Sequence, residues 1–183
     1  PSATTRIERA DTTSRTAPSD ADYGWGMTDG ASTDLSGRSA LVTGGSRGIG
    51  YAIARELARR GAAVVITGRK AEALEHAATD LRAAMPGAVV AAVAGNTGDE
   101  EHRAAAVAAA VAHGGIDILV NNTGINPTAG PLMDADLGAV RKTFDTNVVA
   151  ALGYVQEAYR AGMKESGGAV VNIASVAGLR STG

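Results

Sequence analysis

The chain has 183 residues, 45% hydrophobic and 20% charged, which is the composition of a soluble globular protein and the length of one domain rather than two. Seventeen Lys and Arg against nineteen Asp and Glu leave a formal net charge of -2, so the chain lacks the basic footprint of a nucleic-acid binder. No apolar run approaches the roughly 18 to 20 residues of a membrane span, and the lack of Cys excludes disulfides and thiolate metal sites and leads us to expect a reducing, cytoplasmic compartment.

Residues 1–34 are rich in Ser, Thr, Asp, Ala and Gly and poor in aliphatics, the composition of a flexible N-terminal tail. No apolar segment follows its Arg residues, so it does not read as a secretory signal. Within it, Met27 reads as an alternative start, and Tyr23 and Trp25 as a small anchor. Residues 35–183 then alternate short apolar runs with longer Ala-rich segments. Strands are predicted at 39–43, 62–67, 88–93, 116–121 and 169–174. Helices are predicted at 49–60, 71–84, 100–113 and 136–164, with Gly153 a weak point inside the last. The strand runs are continuously apolar, as expected when helices cover both faces of a sheet. Strict alternation of strand and helix implies right-handed crossovers, and so an α/β doubly wound parallel sheet of the Rossmann type.

The strongest local signal is Thr43-Gly44-Gly45-Ser46-Arg47-Gly48-Ile49-Gly50, between the first strand and the first helix. A helix start leaves N–H groups unpaired and carries partial positive charge, so it attracts phosphate. Gly44 allows a tight exit from the strand, Gly48 lets a pyrophosphate approach the backbone, and Gly50 lets the helix pack near the sheet. No Gly-Lys-Ser/Thr ends the turn, which excludes a nucleoside-triphosphatase loop. Turns this rich in Gly also occur without a ligand, but the strand-turn-helix setting favours a dinucleotide.

This turn resembles the cofactor loop of the short-chain dehydrogenase/reductase family, and three later motifs extend the resemblance over residues 35–183. They are Asn121-Asn122-Thr123-Gly124 after the fourth strand, Asn147 in Asp145-Thr146-Asn147-Val148, and Asn172-Ile173-Ala174-Ser175-Val176-Ala177-Gly178. The resemblance implies a cofactor site built from Gly44, Ser46, Arg47, Gly48, Ile49, Gly50, Arg69, Asn96, Thr97, Asn122, Thr123 and Gly124. Asn96 stands where relatives carry an Asp against the adenine amine, and its side-chain oxygen can still accept that bond. Thr123 replaces the family's Ala. The second strand ends Ile66-Thr67-Gly68-Arg69-Lys70, with Gly68 where members that prefer NAD carry Asp. An acid there would accept from a free ribose 2′-hydroxyl and repel a 2′-phosphate, whereas Arg69 and Arg47 offer charged donors to that phosphate. NADP(H) is therefore the expected cofactor.

The resemblance further implies hydride exchange with a carbonyl or alcohol, Ser175 bonding the reacting oxygen and Asn147 holding a proton-relay water. The proton donor would be the Tyr of a Tyr-x-x-x-Lys pair about a dozen residues beyond Ser175, its pKa drawn toward neutrality by the Lys. None of Tyr23, Tyr51, Tyr154 and Tyr159 is followed four residues on by Lys. In the family's strand order 3-2-1-4-5-6-7, a sheet stopping at the fifth strand would leave Val170, Val171 and Ile173 on an open edge. The fold is thus expected to be incomplete at its C-terminal side, the natural polypeptide continuing by about 60 to 100 residues.

The reading that follows is an NADPH-dependent reductase resembling 3-oxoacyl-[acyl-carrier-protein] reductases, acting on a small molecule or acyl thioester. The alternative from another class is a non-catalytic NADP(H)-binding module, a redox sensor or assembly subunit. The segment from Phe144 to Met163 is expected, on the resemblance, to pair copies of the chain into a dimer or tetramer. His76, His102 and His113 are read as lying on separate helices at no ligand spacing, so no metal is expected.

Overall fold

The computed structural model describes residues 34–128 and 130–175. Tyr23, Trp25 and Met27 of the expected tail, and Val176, Ala177 and Gly178 of the last motif, lie outside the described residues. Five strands, β1 (Ser39–Val42), β2 (Ala63–Gly68), β3 (Val90–Ala94), β4 (Ile118–Asn121) and β5 (Ala169–Asn172), form one sheet in the order β3-β2-β1-β4-β5. Every pairing is parallel, with Leu41 opposite Val65 on one side and Leu119 on the other. Between the strands run α1 (Gly48–Arg59), α2 (Ala71–Ala84), α3 (Glu100–Val111) and the composite helix before β5. The doubly wound α/β architecture predicted from the sequence is thus the one observed.

Alternate strand residues serve the two faces. Ala40, Val42, Val64, Ile66 and Val120 point to a layer made by α1 and α2, with Ala54, Leu74, Ala78 and Leu81 fully buried against them. Leu41, Val65 and Leu119 point the other way, onto Ala106, Val107 and Ala110 of α3 and Tyr154 and Ala158 of the last helix. A fully buried Leu in such a layer stabilises the fold by about 1.5–3 kcal/mol relative to an exposed one. The Ala-rich stretch of α3 lets its backbone approach the sheet closely, so its small side chains are a packing feature.

The segment predicted as one long helix differs from expectation. It contains α4 (Leu137–Phe144), a π-helical turn (Asp145–Val149), α5 (Ala150–Ala158), a second π-helical turn (Tyr159–Met163) and the short α6 (Lys164–Ser166). Asp136 caps its start, the carboxylate accepting from the Gly138 N–H at 2.8 Å. The break falls at Gly162, with φ 150°, and not at Gly153, which sits inside regular helix. Gly153 answers to packing: a Cβ there would stand 2.5 Å from Nε of Arg103. The histidine reading changes in one respect: His76 lies in α2 and His102 in α3, but His113 lies in the turn after α3 and not on a helix.

At the outer edge Val170, Val171 and Ile173 are exposed by 41%, 45% and 37%, the open edge expected for β5. Phe144, Val148, Val149 and Leu152 of the composite helix are also largely exposed. Among the described residues no helix is long and apolar enough to cross a membrane.

Candidate functional site

The strand order reverses direction between β1 and β4, which opens a crevice at the C-terminal ends of the strands. Thr43, buried at the end of β1, ties the two sides of that crevice. Its Oγ1 accepts the N–H groups of Asn122 at 2.9 Å and Thr123 at 3.0 Å, and donates to the carbonyl of Val120 at 3.3 Å. Asn122 returns the clamp, its Nδ2 donating to the carbonyls of Thr43 and Gly44. Sequence reasoning placed Asn122 at the cofactor; the structure shows it also holding the glycine turn. Thr43→Val keeps the shape and removes the latch, leaving two N–H groups unpaired. We expect this to destabilise the fold by about 2 kcal/mol, read as a lowered Tm.

The turn itself fits a phosphate. Gly44 adopts φ +67° and Gly48 φ +58°, where L side chains are strained, and a Cβ on Gly48 would point into open space at the mouth. The N–H of Gly45 donates to the carbonyl of Thr67 at 2.9 Å, and a Cβ on Gly45 would collide with Ile66. Close approach to the sheet is therefore the role of Gly45. Gly50 packs against the Gly44 carbonyl and the Asn122 side chain, just past the ends of β1 and β4, so it too lets α1 lie close to the sheet. Helix α1 starts from Arg47 without a side-chain cap and has no acid in its first turn. Its first N–H groups and its dipole are thus available to an anion.

All residues expected at the cofactor except Gly50 line one pocket of about 390 Å³. Arg47 and Arg69 stand exposed at its mouth, with no ion pair to either among the described residues. Sequence reasoning missed Lys142 on α4, which adds a third cation to the lining. Nothing in its local sequence marks it, because the fold brings it there from a distant helix. Thr67, Gly68, Gly95 and Thr146 complete the wall. The oxygen of Asn96 already accepts the N–H of Gly98 at 3.2 Å, so one lone pair is committed to the loop.

Ser175 and Asn147 line a second, larger cleft of about 1020 Å³, which meets the first along Thr123, Gly124 and Ile125. Ser175 is exposed just past β5. Asn147 sits in the first π-helical turn, and both ends of its amide bind one residue: Oδ1 accepts from the Ile125 N–H at 2.8 Å and Nδ2 donates to the Ile125 carbonyl at 2.9 Å. One N–H and one lone pair of the Asn147 amide remain beyond these two bonds.

His102 is packed over Gly95, at the bend leading to Asn96 and Thr97. Burial pushes its imidazole below the ordinary range; Asp99 opposes this and Arg103 adds to it. A lowered folded pKa means that the stabilising effect of the neutral ring is complete above the unfolded value of about 6.5 and is lost as pH falls below it. Tm should accordingly fall as the pH drops below about 6.5, and His102→Gln should flatten that slope. Further loss below the usual carboxylate range would come from groups such as Glu56, which hydrogen bonds from Arg59 and Arg60 hold at about 2, and Asp117, which, against desolvation, the Ser39 N–H and Arg38 hold low.

Comparison with known proteins agrees with this geometry. The curated dehydrogenase/reductase SDR family member 4 proteins of Pongo abelii and Homo sapiens are 41% and 40% identical to it over 144 residues, covering 78% of this chain and 51% of theirs. The chain thus spans about half the length of the curated relatives it matches. Among solved structures, a short-chain type dehydrogenase/reductase from Mycobacterium ulcerans superposes with a TM-score of 0.77 at 33% identity, over 81% of this chain and 55% of its own. A short chain dehydrogenase from Burkholderia cenocepacia, solved in complex with NADP, gives a TM-score of 0.72 at 41% identity over 81% of this chain and 60% of its own. The sequence profile described as short chain dehydrogenase matches residues 38–182, from the start of the sheet to beyond Ser175, and the chain belongs to that family.

Proposed function

We propose that this chain carries the cofactor-binding portion of an NADPH-dependent reductase that delivers hydride to a carbonyl, a 3-oxoacyl thioester or a similar ketone. One observation carries the cofactor choice. In a protein of net charge -2, the pocket beside the glycine turn is lined, among the described residues, by Arg47, Arg69 and Lys142 and by no carboxylate. Three cations around an uncapped helix start suit a ligand with a pyrophosphate and a further phosphate on the ribose. The relative from Burkholderia cenocepacia, solved with NADP, supports the same choice.

When bound, the dinucleotide supplies the hydride; the chain's residues bind, orient and exclude water. Ser175 would hydrogen-bond the substrate oxygen, and Asn147 would fix Ile125 at the seam between the two clefts. The larger cleft is walled by Val148, Leu152, Val155 and Ile173, an apolar surface suited to an acyl or alkyl ketone. The exposed Phe144, Val148, Val149 and Leu152 support association with a second copy of the chain, as dimer or tetramer. Residues 35–183 would form the dinucleotide domain and residues 1–34 its tail, and the lack of Cys supports a cytoplasmic setting.

The test is NADPH oxidation against a panel of 3-oxoacyl thioesters and simple ketones, using a polypeptide that carries a Tyr-x-x-x-Lys pair after Ser175. Turnover that falls at least tenfold in Ser175→Ala is the expected result. NADPH binding without turnover of any carbonyl would instead favour the sensor or assembly-subunit reading.

A further inference from the structure

A buried polar cluster lies beneath one wall of the dinucleotide pocket. Arg103 on α3 reaches back to the loop after β3, its Nη1 donating to the carbonyls of Gly98 at 2.8 Å and Thr97 at 3.2 Å. The N–H of Gly98 in turn donates to Oδ1 of Asn96, so one peptide link connects the guanidinium to a pocket-lining side chain. The Nε of Arg103 is buried with no hydrogen-bond partner among the described residues. Tyr154, fully buried in α5, turns its hydroxyl toward Thr67, Thr97 and Arg103 without completing a hydrogen bond to any of them. Thr67 and Thr97 are themselves buried, and both line the pocket. Gly153, next to Tyr154, leaves the space that Arg103 fills.

Such a cluster is costly where apolar side chains would pack without penalty, because its polar atoms are incompletely paired. The hydrogen bonds of Arg103 go to the loop that carries Asn96 and Thr97. We propose that Arg103, backed by Tyr154 and given room by Gly153, is a positioning residue that sets the Asn96–Thr97 wall for the adenine half of the cofactor. The assignment rests on the reading of this pocket as an NADP(H) site. It concerns the second layer of the pocket, since Arg103 is not among the residues lining it.

The experiment measures Kd for NADPH and for adenosine 2′,5′-bisphosphate, the adenine half alone, on the 183-residue chain and its variants. Arg103→Met keeps the apolar stem and should weaken both ligands by the same factor, about tenfold. Arg103→Lys should recover part of the loss. Gly153→Ala leaves Arg103 in the sequence but takes its space, and should weaken both ligands too, which keeps the test open if Arg103→Met fails to fold. A purely structural Arg103 would lower Tm and leave the Kd of the folded protein unchanged, and that result overturns the proposal. Wild-type chain that binds neither ligand overturns the cofactor reading and this assignment together, whereas normal wild-type binding with unchanged variants overturns only the assignment.

Discussion

Replacing Gly68 by Asp is expected to invert the cofactor preference. Gly68 ends β2 and lines the pocket beside Arg69. A Cβ there would meet the terminal Cδ1 of Leu74 at 3.3 Å and Oγ of Ser46 at 3.6 Å, so a movable methyl and a hydroxyl are all that must adjust. The new carboxylate would pair with Arg69 and oppose a ribose 2′-phosphate, while accepting hydrogen bonds from a free 2′-hydroxyl. Two unit charges about 4 Å apart near a protein surface interact by a few kcal/mol before screening, so NADPH should bind about 100-fold more weakly. NADH should bind as well as before or better. Equal losses for both cofactors would mean that the substitution damages the pocket rather than its charge logic. Arg69→Ala gives the milder companion result, about a tenfold loss confined to NADPH.

Gly50→Ala should damage both the fold and the phosphate turn. The added carbon would overlap the Gly44 carbonyl and Nδ2 of Asn122, which are main chain and a clamped side chain rather than free ends. The turn must open or α1 must shift, and either movement breaks the Asn122 bonds to Thr43 and Gly44. Overpacking of this kind typically costs about 1–3 kcal/mol, and a lost clamp adds about 1 kcal/mol. The phosphate cradle moves with the turn, so NADPH affinity should fall by two orders of magnitude or more, on the order of the binding of a charged phosphate. Gly48→Ala is the control: its Cβ meets nothing within 4 Å, yet φ +58° is strained for Ala, so affinity should suffer more than packing. Differential scanning with and without cofactor separates the two.

The parts of the fold that follow from local chemistry were legible in the sequence. Continuous β-branched runs such as Val64-Val65-Ile66 and the exact bounds of α2 come from periodicity and propensity alone, and the strand-helix alternation leads directly to a parallel sheet. The phosphate turn is equally local, because consecutive glycines before a helix start need no distant partner to be recognised. What escaped depends on contacts far apart in the chain. Gly153 reads as a helix weakness until Arg103, fifty residues earlier in sequence, is seen beside it. The π-helical turn around Asn147 has no propensity signature, and the Ile125 peptide that its side chain binds lies 22 residues away in sequence. Lys142 and Tyr154 join the pocket and its backing only after the last helix packs on the sheet. Ordinary residues acquire roles there through position alone.

A crystal structure of the 183-residue chain grown with NADP+ would test the account most directly. The pyrophosphate is expected at the start of α1 against the N–H groups of the Gly48-Ile49-Gly50 turn, the 2′-phosphate between Arg47 and Arg69, and the adenine against Asn96 and Thr97. A dinucleotide bound elsewhere, or bound here with its 2′-phosphate turned away from both arginines, would contradict it.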